Sequence, residues 1–182
     1  VIGDDLWIGT KHGTGIFGIS ERRFRLSGGS EINEVIHDIV YDGQNRVLLS
    51  TGNSALLSAD IRFLFIEQYD GVPFKDAGVV LNDKNERILF SNEKGLYRFS
   101  PMFDGVLPVE KIFDLKANNV QYIISLYIDD SDRIWIGTFG QGLWMIDNKN
   151  RKHFTEKDGL INNNILSISG RGQEIWMGTL GG

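Results

Sequence analysis

Short apolar runs separated by polar turns recur along the chain at nearly constant intervals. A five-residue phrase, clearest as Ile-Trp-Ile-Gly-Thr at 134–138, appears at residues 6–10, 47–51, 88–92, 134–138 and 175–179. Successive copies begin 41, 41, 46 and 41 residues apart. A fixed period of this length indicates a repeat architecture in which each unit is one small supersecondary structure.

The fourth copy shows what one repeat contains. Runs rich in β-branched and aromatic residues predict strands at 122–128, 134–138, 143–147 and 151–155. Polar or glycine-containing turns separate them, and no 11-residue window keeps the apolar rhythm of a helix. Four antiparallel strands in about 40 residues, with aromatic and glycine motifs once per unit, describe a blade of a β-propeller.

The repeats predict an all-β fold: a β-propeller fragment of roughly four blades of four antiparallel strands. We expect it to come from a larger ring, with seven blades. The predicted segment spans 1–182 and contains a partial blade at 1–31, blades at 32–73, 74–117 and 118–160, and a partial blade at 161–182. The chain starts at Val1 directly before a strand and stops just after the fifth copy, so we expect a piece of a longer protein. Unpaired strand edges at such ends favour a homodimer.

Composition narrows the function classes. The net charge is −5 with no basic block, which argues against nucleic-acid binding. Cysteine is absent, so neither a disulfide framework nor a thiolate metal site is expected. No run of about 18 apolar residues is present, and no signal peptide is recognisable.

Several stretches carry a family resemblance. Residues 130–138 with 142–147, residues 154–165, and residues 174–179 resemble the two-component regulator propeller repeat. The likeness is strong in the first, fourth and fifth copies. The second and third depart from it: Leu48 and Leu89 stand in place of Trp, and Ser50 and Ser91 in place of Gly.

The resemblance implies a sensor. Such repeats build the periplasmic sensor region of hybrid two-component histidine kinases of Bacteroidetes, which are anchored in the inner membrane. The family binds breakdown products of polysaccharides and signals to a cytoplasmic kinase, so an oligosaccharide ligand is expected. The kinase and DNA-binding parts are absent from these residues. The resemblance implies no catalytic residue, metal or cofactor in this segment.

Ligand contacts are expected from loops on one face of the propeller, those joining second to third strands and fourth to next first strands. Sugars bind flat apolar rings through their C–H faces and polar groups through their hydroxyls. On that chemistry the candidate ligand-binding residues are Lys11, His12, Lys75, Asp76, Phe139, Gln141 and Asn163. The alternative is structural: Asn162 to Asn164 are turn formers, and Lys11 and His12 suit a solvated loop tip.

The tryptophans have a packing interpretation. Trp7, Trp135 and Trp176 are expected in the core between blades, because a large ring fills the space between stacked sheets. Trp144, one strand further out, is open to two interpretations, packing in the core or contact with a ligand.

Two other functions stay open. A lyase-type propeller enzyme, resembling streptogramin lyase, would need a histidine and acidic residues at the channel with a divalent ion. Of His12, His37 and His153, only His37 is placed for that role, and no metal-ligand spacing occurs. A purely protein-binding propeller would show a large exposed apolar patch on the loop face.

Overall fold

The computed structural model describes residues 1–26, 32–42, 45–54, 56–60, 66–68, 77–83, 87–100, 109–148 and 150–182. Within these ranges the regular structure is almost entirely antiparallel β, with one 3-10 turn at Glu156–Asp158. None of the described residues belongs to a helix long and apolar enough to cross a bilayer. The chain divides into two compact units: residues 1–90 with 98–110, and residues 91–97 with 111–182.

The strands follow one another along each sheet in chain order. The first sheet contains β1 (Asp5–Thr10), β2 (Gly13–Gly18) and β3 (Arg23–Leu26). The second contains β4 (Ile36–Tyr41), β5 (Arg46–Thr51), β6 (Leu56–Asp60) and β7 (Ile66–Gln68). The third, with residues in both units, contains β8 (Val80–Asn82), β9 (Ile88–Asn92), β10 (Gly95–Phe99) and β11 (Glu110–Asp114).

Two further sheets complete the second unit. The fourth contains β12 (Ile123–Ile128), β13 (Ile134–Thr138), β14 (Leu143–Asp147) and β15 (Asn150–Phe154). The fifth contains β16 (Ile165–Arg171) and β17 (Glu174–Thr179). The meander of short antiparallel strands confirms the predicted all-β propeller fold. The apolar phrase forms β1 in the first sheet and the second strand, β5, β9, β13 or β17, in each of the others.

The same bulge interrupts the first strand of three repeats. The register shifts between Ile36 and Asp38 in β4, between Ile123 and Ser125 in β12, and between Ile165 and Ser167 in β16. A bulge increases the local twist of a strand pair and redirects its side chains. Its recurrence shows that the repeats share backbone geometry as well as sequence.

Small residues in the recurring phrase let one sheet approach the next. In the first unit the Ser50 hydroxyl donates to the carbonyl oxygen of Gly78, 2.5 Å away. In the second unit a Cβ added to Gly137 would lie 2.8 Å from the carbonyl oxygen of Ile165. These distances leave no room for a larger side chain, which explains the small fourth position of the phrase.

In three repeats an aspartate opens the turn between the first and second strands and holds it together. Asp42, Asp83 and Asp129 each accept the backbone N–H of the arginine four residues later, at 2.9 to 3.0 Å. Asp129 is 1% exposed and also accepts from the indole N–H of Trp135 at 2.8 Å. Burial raises the pKa of Asp129, but hydrogen bonds from Trp135 and Arg133 outweigh it and lower the pKa below its ordinary value.

The tryptophans of the phrase differ in burial. Trp7 is half-buried and packs on the core of the first unit. Trp135 is half-buried and stacks on Phe154, with ring centroids 6.3 Å apart. The core prediction does not hold for Trp176, which is 51% exposed on the two-stranded sheet of β16 and β17, because none of the strands that the structure describes pairs with β17 on its other side.

Candidate functional site

An open cleft of about 500 Å³ lies in the second unit, where the loops after β11, β13 and β15 meet. Its lining is Ala117, Asn118, Asn119, Gly140, Gln141, Trp144, His153, Thr155 and Asn163. The loops belong to the two classes that the sequence predicted to bind ligand. Amide side chains and one stacked pair of rings therefore face a common space.

Trp144 and His153 form one wall of the cleft. They are directly opposed residues on β14 and β15, and their rings stack with centroids 4.0 Å apart and planes 10° from parallel. Phe113 meets the indole edge-on, with centroids 5.2 Å apart. Directly opposed aromatic residues on neighbouring strands stabilise a sheet and fix each other's orientation. The imidazole is the exposed member of the pair, and the indole is half-buried.

A hydrogen bond fixes the imidazole of His153. Its Nε2 lies 2.7 Å from the carbonyl oxygen of Gln141. A carbonyl oxygen can only accept, so Nε2 carries the hydrogen and donates it. The indole Nε1–H of Trp144 is buried and, among the described residues, has no hydrogen-bond partner. The indole therefore contributes ring surface to this wall instead of a donor.

A short capped turn after β15 contributes Thr155 to the lining. Thr155 precedes the 3-10 turn, and its backbone N–H and hydroxyl both donate to Oδ2 of Asp158, each at 2.9 Å. These two hydrogen bonds, with a smaller contribution from the nearby ammonium group of Lys157, lower the pKa of Asp158 below its ordinary value. Gly159 ends the turn in the left-handed region, with φ of 103°.

Asn163 is locked to this turn from both sides. Its Oδ1 accepts the Glu156 backbone N–H, and its own backbone N–H donates to Oε1 of Glu156, both at 2.9 Å. The Asn163 carbonyl accepts from the backbone N–H of Gly142 at 2.9 Å. Gly142 is required there, since its φ is +73° and a Cβ would lie 2.2 Å from the carbonyl oxygen of Phe154.

Several polar groups of the lining remain available to a ligand. Within the described part of the chain, the side-chain amide of Asn119 has no partner, and Asn118 uses only its NH₂ group, towards the carbonyl of Asp114 at 2.6 Å. Gln141 uses its Oε1, which accepts from the Gln121 backbone N–H at 3.3 Å. The NH₂ groups of Gln141 and Asn163 are thus uncommitted donors, and Asn118 Oδ1 is an uncommitted acceptor.

The structure places some of the candidate residues predicted from sequence in the cleft and others outside it. Gln141 and Asn163 both line the cleft. Phe139 lies outside the lining but on the same loop as Gln141, is 46% exposed, and donates its backbone N–H to the carbonyl of Tyr122, itself 56% exposed. The role of Phe139 in ligand binding stays a prediction.

Lys11 and His12 are not among the lining residues. Lys11 and His12 are exposed in the β1–β2 turn of the first unit, where the His12 backbone N–H donates to the Thr10 hydroxyl. Lys75 and Asp76 lie outside the described residues. The sequence reasoning missed His153 and Thr155. His153 lies beside Trp144 only through the register of β14 and β15, and Thr155 follows β15 as the cap of the 3-10 turn.

The observations on the lyase alternative concern His37 and its neighbour. His37 is exposed on β4. Burial raises the pKa of Asp38, whose carboxylate accepts the backbone N–H groups of Ile39 and Val80 at 2.9 and 3.0 Å. Among the described residues no group of three or more His, Cys, Asp and Glu side chains could hold a metal ion.

The family model "Two component regulator propeller" matches residues 114–140. This match confirms the resemblance seen in the fourth copy of the repeat. The matched segment begins at the end of β11 and includes four of the lining residues: Ala117, Asn118, Asn119 and Gly140. No curated protein sequence matches the chain.

Solved structures share the fold. The extracellular domain assigned to the hybrid two component system BT4673 of B. thetaiotaomicron aligns with a TM-score of 0.73 and 20% identity, over 98% of this chain and 25% of that chain. That of BT3049, from the same organism, aligns with a TM-score of 0.72 and 20% identity, over 97% and 24%. Streptogramin B lyase aligns with a TM-score of 0.67 and 15% identity, over 97% and 60%. The chain thus spans about a quarter of the length of the two-component domains.

Proposed function

We propose, from the two-component regulator propeller repeat at residues 114–140, that this chain is part of the ligand-sensing region of a hybrid two-component system. In this proposal it lies in the periplasm, in a protein anchored in the inner membrane. Its ligand is an oligosaccharide released from a polysaccharide. The similarity in fold to extracellular domains of such systems supports the location and the sensor role.

The observation that carries the ligand assignment is the cleft between the loops of the second unit. It combines the exposed ring of His153 with the uncommitted amide groups of Asn119, Gln141 and Asn163. A sugar has C–H faces that pack on a flat ring and hydroxyls that both donate and accept hydrogen bonds. Amides supply both kinds of partner, and they do so without the cost of a buried charge.

Signal transmission follows from the rigidity of the sheets. Short antiparallel strands held by buried Asp129-type turns bend little, so a bound ligand acts by changing how protomers or domains pack. A homodimer would convert such a change into a new arrangement of the cytoplasmic kinase. Ligand binding shifts this equilibrium only by its difference in affinity between the two arrangements.

Calorimetry on the intact protein tests the proposal. Oligosaccharides from a panel of plant and microbial polysaccharides are titrated into the wild type, the Gln141→Ala and Asn119→Ala variants, and a Gln173→Ala control. Gln173 is an exposed amide in the β16–β17 turn, away from the cleft. At least one oligosaccharide should bind, with about tenfold weaker affinity in each cleft variant and unchanged affinity in the control. Absence of binding by every oligosaccharide, or equal binding by all four proteins, would contradict it.

A further inference from the structure

We infer that the cleft selects uncharged saccharide units and discriminates against units carrying a carboxylate or sulfate, and that Glu156 and Asp158 enforce this choice. The inference rests on the proposed function and adds the charge class of the ligand at the same site. Two observations carry it. The lining residues hold no fixed charge, and two carboxylates accept hydrogen bonds from them.

The lining itself has no fixed charge. Its nine residues include no Lys, Arg, Asp or Glu, and His153 is the only titratable side chain among them. Proteins recognise carboxylates and sulfates mainly with guanidinium or ammonium groups, which supply charge-assisted hydrogen bonds. A bound anion would here exchange its water shell for neutral amide donors alone, which is costly for an ion and acceptable for a hydroxyl.

Two carboxylates accept hydrogen bonds from residues of the lining. Glu156 Oε1 lies 2.9 Å from the backbone nitrogen of Asn163, and Asp158 Oδ2 lies 2.9 Å from both the nitrogen and the hydroxyl of Thr155. Asn163 and Thr155 are themselves lining residues. Both carboxylates are therefore fixed one hydrogen bond behind the surface that a ligand touches. The lowered pKa of Asp158 keeps it ionised at neutral pH.

The nearby cations are committed elsewhere or lie outside the lining. Arg151 donates to the carbonyl of Ile112 at 2.9 Å and lies over the ring of Phe113, and Lys111 pairs with Asp114 at 2.8 Å. Lys116 and Lys157 are exposed and do not line the cleft. Their ammonium groups are flexible and hydrated, so they offset the fixed carboxylates only in part.

Matched pairs of ligands test the inference on the intact protein. Galacto-oligosaccharides are compared with oligogalacturonates of the same linkage and length, and gluco-oligosaccharides with oligoglucuronates, by calorimetry at about 0.15 M salt. The neutral member of a pair should bind at least about tenfold tighter than the charged member. Equal or tighter binding of a charged member, abolished by Gln141→Ala, would overturn the inference while leaving the proposed sensor function standing. No binding by any member, together with no binding by any oligosaccharide of the wider panel, would overturn the proposed function as well.

A charge-neutral double variant tests the role of the two carboxylates. Glu156→Gln with Asp158→Asn keeps the oxygens that accept from Asn163 and Thr155 but removes both charges. The ratio of neutral to charged affinity should fall several-fold, and in the wild type it should also fall between about 0.05 and 1 M salt, where the screening length shortens. A ratio unchanged by both treatments would overturn the assignment of selectivity to Glu156 and Asp158.

Discussion

The imidazole of His153 lies flat on the indole of Trp144, with ring centroids 4.0 Å apart and planes 10° from parallel. The imidazole covers one face of the indole, and both rings line the cleft. The hydrogen bond from His153 to the carbonyl of Gln141 connects that ring to the loop carrying the available amide. The pair thus joins two strands and, in the proposed function, also contacts the ligand.

Replacing His153 separates these two roles. His153→Ala removes the stack and should lower the free energy of unfolding by about 1 kcal/mol. His153→Phe keeps a flat ring on Trp144 but loses the hydrogen bond to Gln141, and should lower it by less. Urea unfolding followed by tryptophan fluorescence measures both. Lys152→Ala, at the adjacent exposed position of β15, is the control and should leave stability within about 0.5 kcal/mol. Equal loss in all three variants would contradict a special role for the stack.

Gly142 directly precedes β14 and has a backbone conformation that favours glycine. Gly142→Ala should destabilise the protein by at least about 2 kcal/mol, because its φ is +73° and the new Cβ would meet the Phe154 carbonyl at 2.2 Å. Gly172→Ala is the matched control, with φ of +61° but nothing within 4 Å, and should cost about 1 kcal/mol. Thermal unfolding of both variants checks the order. A larger loss for Gly172→Ala would refute the steric explanation.

Gly137 tests the close approach of successive sheets. Gly137→Ala places a Cβ 2.1 Å from the Ser125 hydroxyl and 2.8 Å from the Ile165 carbonyl oxygen, and should cost about 2 kcal/mol of stability. Gly15→Ala, in β2 with nothing within 4 Å, should be neutral or stabilising by up to about 1 kcal/mol. Chemical denaturation of the two variants decides between them. Tolerance of alanine at 137 would show that the sheets do not need a small residue there.

Asp129 should make the free energy of unfolding depend on pH in the acidic range. Asp129→Asn replaces an acceptor of four donors with a group that itself donates, so it should lower the free energy of unfolding by about 3 kcal/mol at neutral pH. The pKa of the native carboxyl lies below its ordinary value of 3.8. Its contribution is therefore complete above the unfolded pKa and is lost as pH falls through the folded pKa.

The measurement is urea unfolding of wild type and Asp129→Asn at a series of pH values. The difference between them should be constant near neutral pH and should shrink below about pH 4. Glu174→Gln, at an exposed position of β17, is the control and should stay within about 0.5 kcal/mol of wild type near neutral pH. A difference that grows with acidification would contradict the assigned sign.

Sequence alone predicted most of the fold, because each repeat carries its strands, turns and small residues at fixed offsets. The Asp129 turn and the close approach at Gly137 both follow from that pattern. The candidate site was only partly predictable. Gln141 and Asn163 are loop amides and could be named from position, whereas His153 reaches the cleft only through its cross-strand register with Trp144.

Trp176 shows the limit of arguing from a repeat. Its phrase, Ile-Trp-Met-Gly-Thr, is nearly that of Trp135, yet Trp176 is 51% exposed and Trp135 is half-buried, so the phrase alone does not determine burial. The indole of Trp135 also has a polar partner in Asp129, which apolar periodicity alone does not indicate.

A crystal structure of the intact protein with the tightest-binding neutral oligosaccharide tests the central claim most directly. A sugar ring should pack within about 4 Å of His153, with hydroxyls hydrogen-bonded to the side chains of Gln141 and Asn119. A sugar bound elsewhere on the protein, with only water between Trp144 and Asn163, would contradict it.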